Sequence, residues 1–468
     1  MRTSDSIDSE SADTMLLEAA DDALMDPARC FDAWDDAVEL NLALWQLVDA
    51  AAAGDVRQVN ETLAAYPSAA RETREPGVTA LMRAAEHGHA ECVRALLPFS
   101  DPDAACDKHW VSHDGISYLD TPNLDWGSKV SARWVSETSA LGFAALNGHL
   151  DCVKLLLPRS RDRCGSDGRT ALMFAAAGGQ AECVRFLMAS ADASDAKTTT
   201  SNGYSALMDA ALYGRVDCVE LLLPVSDATA RTAAGVTALM WAATAGNTDC
   251  VELLLPSSDA LHVDMEGATA LHWTADAIEE GEAAHLAILR TLVAAGGSLI
   301  QDRLGRTPLM RLIDGFDTVD SKALANVRDA VRILAPESDA GAYDAQGQTA
   351  LDIVLDICGA ADAADPLRPA VENRLSVAAE LIGHYPEADA VRTVLRHTQY
   401  LSQVERDLAL SMLPTSPHAK RAWDRALAEA GPTALPRVCA KSEQVDLAQI
   451  ADTPSQSLTA PNKPRRRL

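Results

Sequence analysis

The chain has 468 residues, of which 48% are hydrophobic and only 4% aromatic, and 68 acidic residues against 40 basic ones give a net charge of −28. Such a charge excludes a general DNA or RNA binder, because the phosphate backbone would be repelled. No apolar run approaches the roughly 18 residues of a membrane-spanning helix, and the N-terminus lacks the basic start and apolar core of a secretory signal. We therefore predict a cytoplasmic protein that contacts neither nucleic acid nor membrane and keeps its ten cysteines reduced.

The first predicted element is an acidic leader over residues 1–43. Positions 1–55 hold 14 acidic side chains against 2 basic ones, which favours a solvated leader or a short helical cap over an active element. An atypical unit follows from Leu44 to Val56 and has the features of a capping repeat, which a repeat array needs in order to expose a polar outer end.

The central feature of the sequence is a unit that recurs with a period of roughly 33 residues. The copy from Gly77 reads GVTALMRAAEHGHAECVRALLP, and the copy from Gly235 reads GVTALMWAATAGNTDCVELLLP. A small residue followed by leucine anchors each copy, at Ala80, Ala140, Ala171, Ala206, Ala238, Ala270, Pro308 and Ala350.

Each unit predicts a turn, a short helix, a loop and a second short helix. Leu81 and Ala84 share one face of the first helix, Val93 and Leu96 share one face of the second, and Gly88 separates the two. The leading Gly-x-Thr/Ser-Ala element supplies a tight turn and a hydroxyl that caps the helix. Neither helix is long enough to be stable alone, so each apolar face must be covered by the next copy.

These residues resemble the ankyrin repeat, whose pattern is Gly-x-Thr-Pro-Leu-His-x-Ala-Ala, then Gly-His and a second helix ending in Leu-Leu. Thr307-Pro308-Leu309 and Thr269-Ala270-Leu271-His272 match the anchor, and Gly88-His89 matches the loop. The resemblance covers about residues 44–385 and implies an all-α ankyrin-repeat solenoid with turn or β-hairpin tips, a capping repeat and about eight repeats. Two departures recur: methionine usually replaces the anchor histidine, and a proline such as Pro98 is expected to end the second helix sharply.

The resemblance also implies a non-enzymatic scaffold that holds a protein partner on its concave face. Carried over to this sequence, the exposed positions of that face include Glu86, His87, Asn147, Arg169, Tyr204, Leu212 and Tyr213. The last three form the best hot-spot cluster, because aromatic anchors dominate interface energies. The alternative is that exposed apolar residues are ordinary and mean nothing singly.

An insertion over residues 101–137 interrupts the array and contains Trp110, Trp126 and Trp134. These rings either form a partner-binding finger or fold the loop onto the array. The spacing of Cys106, His109 and His113 is compatible with zinc, but no fourth ligand is evident. We therefore predict a polar loop and neither metal nor cofactor.

The C-terminal segments are predicted to be a helical cap over residues 386–430 and a disordered, Pro/Ser-rich tail over 431–468. Its basic end, Lys463–Arg467, resembles a nuclear-import signal. That end and the serine-rich N-terminus support an alternative function, a bacterial effector secreted into a eukaryotic host cell to bind and modulate a host protein.

The sequence predicts no catalytic site. Cysteine recurs at one position of five repeat units, and this regularity favours packing over catalysis, because a catalytic cysteine is needed once. No phosphate-binding or dinucleotide-binding glycine motif is evident. We expect a monomer that binds a protein partner.

Overall fold

A computed structural model of the chain describes residues 27–73, 77–105, 138–160, 168–190, 195–278, 283–315, 321–339, 341–359 and 368–397. The chain forms two compact bodies, an N-terminal body of residues Met1–Asp259 and a C-terminal body of residues Ala260–Leu468. In the described ranges the secondary structure is helical, apart from two isolated β-bridges, Ala105 with Ser139 and Thr199 with Ser205. The predicted all-α class is confirmed.

The described helices of the N-terminal body come in pairs, each pair corresponding to one repeat unit. The pairs are α1 (Pro27–Ala53) with α2 (Val56–Ala65), α3 (Ala80–Glu86) with α4 (Ala90–Leu96), α5 (Ala140–Leu146) with α6 (Leu150–Leu156), α7 (Ala171–Gly178) with α8 (Ala181–Ser190), α9 (Ala206–Leu212) with α10 (Val216–Leu222), and α11 (Ala238–Thr244) with α12 (Thr248–Leu254). Each first helix packs against the first helix of the next pair, and each second helix against the next second helix. The pair α1–α2 occupies the place of the predicted capping repeat, and α1 begins within the segment that we expected to be an acidic leader.

The described helices of the C-terminal body repeat this arrangement. They are α13 (Ala270–Asp276), α14 (Ala283–Ala295), α15 (Pro308–Asp314), α16 (Ser321–Leu334), α17 (Ala350–Gly359), α18 (Arg368–Ile382) and α19 (Glu387–His397). First helices α13, α15 and α17 pack in order, second helices α14, α16 and α18 do the same, and α19 packs against α17. Among the described residues there are thus a capping pair and eight helix pairs, as the resemblance implied.

Three first helices begin at a cap in which a side chain of the first turn accepts a hydrogen bond from the amide of the threonine before the helix. That side chain is methionine, histidine or aspartate, depending on the helix. In α3 the Met82 amide donates to Thr79 Oγ1 (3.2 Å), and the Thr79 amide donates to Met82 Sδ (3.5 Å). In α13 the Thr269 amide donates to His272 Nδ1 (3.1 Å). At the start of α17 the Thr349 amide donates to a carboxylate oxygen of Asp352 (3.0 Å). Methionine therefore preserves the reciprocal cap that histidine makes, since both present an acceptor to the same orphan amide.

Neighbouring repeats of the N-terminal body are joined by the side chain that follows the inter-helix glycine. This side chain donates to a carbonyl at the end of the first helix of the preceding repeat, where helical carbonyls lack partners. The pairs are His89 with Ala52 O (2.9 Å), His149 with Glu86 O (2.8 Å), Gln180 with Leu146 O (3.2 Å), Arg215 with Ala177 O (3.0 Å) and Asn247 with Ala211 O (2.8 Å).

The position between the two helices of a repeat, just before the side chain that joins it to the preceding repeat, requires glycine for two reasons. Gly88 has a φ of +78°, and a Cβ there would collide with the His149 ring of the next repeat. A small residue at this point therefore lets the following repeat approach, and the backbone turns in a direction that L side chains rarely adopt.

The second helices end where proline was predicted to end them. Helix α4 stops at Leu96, two residues before Pro98, and α12 stops at Leu254, where Pro256 lies in a short 3₁₀ turn, Leu255–Ser257. Each of these helices turns valine, cysteine and leucine toward a fully buried core.

Candidate functional site

A group of half-buried aromatic and aliphatic side chains lies near a buried ion pair in the N-terminal body. We call it the Tyr204 cluster, and its members are Arg169, Tyr204, Asp209, Leu212, Tyr213 and Trp241. Arg169 and Tyr204 come from the turns that precede α7 and α9, Asp209 and Leu212 from α9, Tyr213 from its C-terminal cap, and Trp241 from α11. Three consecutive repeat units therefore build the cluster.

An aromatic pair is one part of the cluster. The ring centroids of Tyr204 and Trp241 lie 5.8 Å apart with an interplanar angle of 33°. This separation is in the range of favourable aromatic contacts. Both rings are half-buried, so part of each ring surface is accessible to solvent.

A buried ion pair lies in the same cluster. Arg169 Nη2 is 3.3 Å from Asp209 Oδ1, and both side chains are almost completely buried. The guanidinium carbon also lies 5.7 Å from the centre of the Phe174 ring. A buried pair gives little net stability against an apolar replacement, but the loss of one partner is costly. We infer that the pair orders the cluster rather than adding greatly to stability.

The two tyrosines of the cluster are neutral phenols over the ordinary pH range. Burial raises the pKa of Tyr204 and of Tyr213, and the negative charge of Asp209 raises each further. A neutral phenol can both donate and accept a hydrogen bond, and its ring supplies apolar contact area. Such residues are typical of interface anchors.

Two residues that we predicted to be exposed are buried. Glu86 lies inside the fold because its carboxylate accepts from Arg83 Nη1 (3.0 Å). Arg169 is buried by its pairing with Asp209. The expectation of exposure is wrong at both positions, since ion pairing within the fold holds the charges inside. Whether either takes part in binding stays a prediction.

The other predicted positions have different surroundings. His87 is exposed and caps α3, whereas Asn147 is half-buried and donates from Nδ2 to Phe143 O (3.0 Å). Leu212 is half-buried at the end of α9. Trp110, Trp126 and Trp134, together with the zinc hypothesis at residues 106–113, lie outside the described residues and stay untested.

Sequence reasoning missed Asp209 and Trp241. Both occupy the fourth position of the first helix, between the methionine and the alanine that recur in the repeats. The same position holds Arg83, Phe143 and Phe174 in the other units of this body. A varying residue inside an otherwise repetitive helix was the available signal, because packing alone would favour one residue type in every copy.

The cysteines that recur in the repeats do not form a reactive site. Cys92, Cys152, Cys183, Cys218 and Cys250 are buried and free. Burial raises the pKa of Cys152, Cys183, Cys218 and Cys250 to about 11, and nearby carboxylates, such as Asp217 beside Cys218, add to the effect. The thiol form dominates at neutral pH, and the thiol is a poor nucleophile.

In the described ranges no group of histidine, cysteine and carboxylate side chains is arranged to hold a metal ion, and no described helix has the length and apolarity to cross a bilayer.

Comparison with known proteins gives a family-level match. The family model for ankyrin repeats in three copies matches residues 141–232 and 225–297, and the model for a single ankyrin repeat matches residues 77–108. No curated protein matches the chain. Among solved structures, the human ASB11 ankyrin repeat domain is 20% identical and aligns over 51% of this chain and 98% of that chain, with a TM-score of 0.39.

Proposed function

This chain is an ankyrin-repeat protein with an all-α solenoid fold, and from that premise we propose that it is a non-enzymatic scaffold that binds a protein partner through the Tyr204 cluster. Ankyrin repeats are generally protein-interaction modules. The Tyr204–Trp241 pair carries the proposal, because two large rings half-buried side by side provide much contact area at a low cost in side-chain entropy.

The buried ion pair supports the same proposal. A binding surface is most effective when its side chains are already held in the bound arrangement. Arg169 and Asp209 pair with each other inside the fold, and Asp209 belongs to the same helix as Leu212. A partner residue inserted beside Tyr204 would meet a surface that is already ordered.

The test is affinity capture from native lysate with the intact chain and a Tyr204→Ala variant, followed by mass spectrometry. Tyr343→Ala is the matched control, because Tyr343 is 63% exposed and belongs to the C-terminal body, which contributes no residue to the cluster. A thermal melt of each variant checks that the fold is intact. We expect a partner that the intact chain and the control retain and that Tyr204→Ala loses.

A third variant lacking residues 101–137 separates the cluster from the insertion. A partner lost by this deletion but retained by Tyr204→Ala would assign recognition to the insertion instead. Retention of the same proteins by all the variants would reject the cluster as a binding surface.

A further inference from the structure

Two neighbouring turns of the C-terminal body are joined to each other through their backbones. We call them the α13 turn, residues 264–268, and the α15 turn, residues 302–306, since each precedes the helix of that name. In both turns the amide of the first residue donates to the carbonyl of the last, at 2.9 Å. The Arg303 amide donates to Glu266 O (2.7 Å) and links one turn to the other. The two tips therefore lie side by side in a fixed register.

The tips of these two turns place two apolar and two charged side chains in solvent. Met265 and Leu304 are 58% and 55% exposed. The Glu266 side chain is 62% exposed, and its contact with Arg311 is long, at 3.9 Å. Arg303 is also exposed. Large apolar side chains that are exposed next to each other, with charges beside them, are typical of an interaction surface.

The order of these side chains is reversed from one turn to the next. The α13 turn has Met265 and then Glu266, whereas the α15 turn has Arg303 and then Leu304. A twofold rotation about an axis between the turns lays the α13 turn of one copy on the α15 turn of another, in opposite chain directions. Met265 then faces Leu304, Glu266 faces Arg303, and each contact occurs twice. The two turns are therefore complementary to themselves in apolar character and in charge.

We propose that the chain forms a reversible homodimer in which the α13 and α15 turns of two copies pack tip against tip. The net charge of −28 opposes association in general, so the dimer depends on the local pairing of Glu266 with Arg303. This dimer departs from the monomer that we predicted from the sequence. It is independent of the Tyr204 cluster, which belongs to the N-terminal body.

The size of the contact sets the expected affinity. Four tip residues of each copy bury less than the roughly 1,200 Å² of a standard interface, so we expect a dissociation constant of about 10 µM. Unfolding measurements below about 1 µM therefore report on the monomer.

Sedimentation equilibrium of the full chain over a range of concentrations measures the dimer. Arg303→Glu and Glu266→Arg each bring like charges together twice, so we expect each to weaken association at least tenfold. Arg290→Glu is the matched control, because Arg290 is exposed on helix α14 and its reversal gives the same net charge as Arg303→Glu. We expect this control to associate as the intact chain does. A thermal melt of each variant checks the fold.

A mixture of variants separates a mutual contact from an effect of net charge. In a heterodimer of Glu266→Arg with Arg303→Glu, every reversed side chain faces an opposite charge. A fluorescently labelled Glu266→Arg chain should therefore bind Arg303→Glu at least tenfold more tightly than it binds Arg290→Glu, although the last two have the same net charge.

Three results would each overturn the proposal. One is an intact chain that is still a monomer at about 100 µM, tenfold above the expected dissociation constant. Another is a dimer that neither Arg303→Glu nor Glu266→Arg weakens, since the two copies would then meet elsewhere. The third is equal binding of the labelled chain to Arg303→Glu and to Arg290→Glu, which would show that the two charged positions do not face each other.

Discussion

Replacement of Leu222 by alanine tests the claim that packing between repeats holds these short helices together. Leu222 is the last residue of the seven-residue helix α10, and its side chain is fully buried. Helix α10 packs against α8, α9 and α12. Truncation to alanine removes three buried carbons and leaves a cavity, at a cost of about 2 to 5 kcal/mol. Alanine's slightly better helix propensity offsets only a few tenths of a kcal/mol.

The assay is urea unfolding followed by circular dichroism, with Leu304→Ala as the matched control. Leu304 is a leucine of the C-terminal body that is 55% exposed, so its truncation should change the free energy of unfolding by less than about 0.5 kcal/mol. Because each repeat is stabilised by its neighbours, the Leu222 variant should also broaden the transition of the N-terminal body.

A Leu222→Ala transition that coincides with that of Leu304→Ala would refute this reasoning. Such a result would mean that α10 does not depend on the buried contacts of Leu222. The stability of the array would then have to come from elsewhere, such as the hydrogen bonds that join successive repeats.

Three further predictions concern backbone geometry, pH and thiol reactivity. Gly88→Ala should destabilise the protein more than Gly347→Ala in urea melts. Both glycines have a φ of +78°, a backbone conformation that costs alanine about 1 to 2 kcal/mol. A Cβ at Gly88 would also collide with the His149 ring, whereas nothing lies within 4 Å of a Cβ at Gly347. Equal costs would show that the collision is relieved without penalty. Burial alone would raise the pKa of Asp352, but hydrogen bonds from neighbouring side chains and backbone lower it to about 2. Because the folded-state pKa lies below the ordinary value, this carboxylate stabilises the fold above about pH 4, and about 2 kcal/mol is lost as the pH falls through 2. Asp352→Asn should flatten that part of the stability profile in urea melts, and an unchanged slope would contradict the assignment. Cys218 should resist alkylation at pH 8 in the native protein and react after unfolding, and peptide mass spectrometry measures both. Rapid labelling of the native protein would show that the thiol is not held in the core.

Much of the fold follows from local pattern. The recurring Thr-Ala-Leu-Met element predicts a capped short helix, and the glycine that follows it predicts the loop, because capping and left-handed turns depend on residues close together in the chain. The burial of the recurring cysteine was predictable for a related reason: a small apolar residue in every copy has a packing role. Proline near the end of the second helix likewise predicts where that helix stops.

The candidate site was predicted only in part. Tyr204, Leu212 and Tyr213 were found because their position in the repeat matches the binding positions of the family. Trp241 is one repeat further along the chain, and its contact with Tyr204 depends on how two repeats stack. The role of Asp209 depends on Arg169, which belongs to the preceding repeat unit.

The sequence by itself therefore determined the repeat, its helices and the residues that cap and bury them, since these depend on neighbours three or four positions away. Only the tertiary structure decided which charges lie inside and which apolar side chains lie outside. Arg169 is buried because it pairs with Asp209 of the following repeat unit, and Val38 and Leu42 of α1 are exposed whereas Leu47 of the same helix is fully buried. Both outcomes depend on what packs against a residue in space, and the identity of the residue does not specify that.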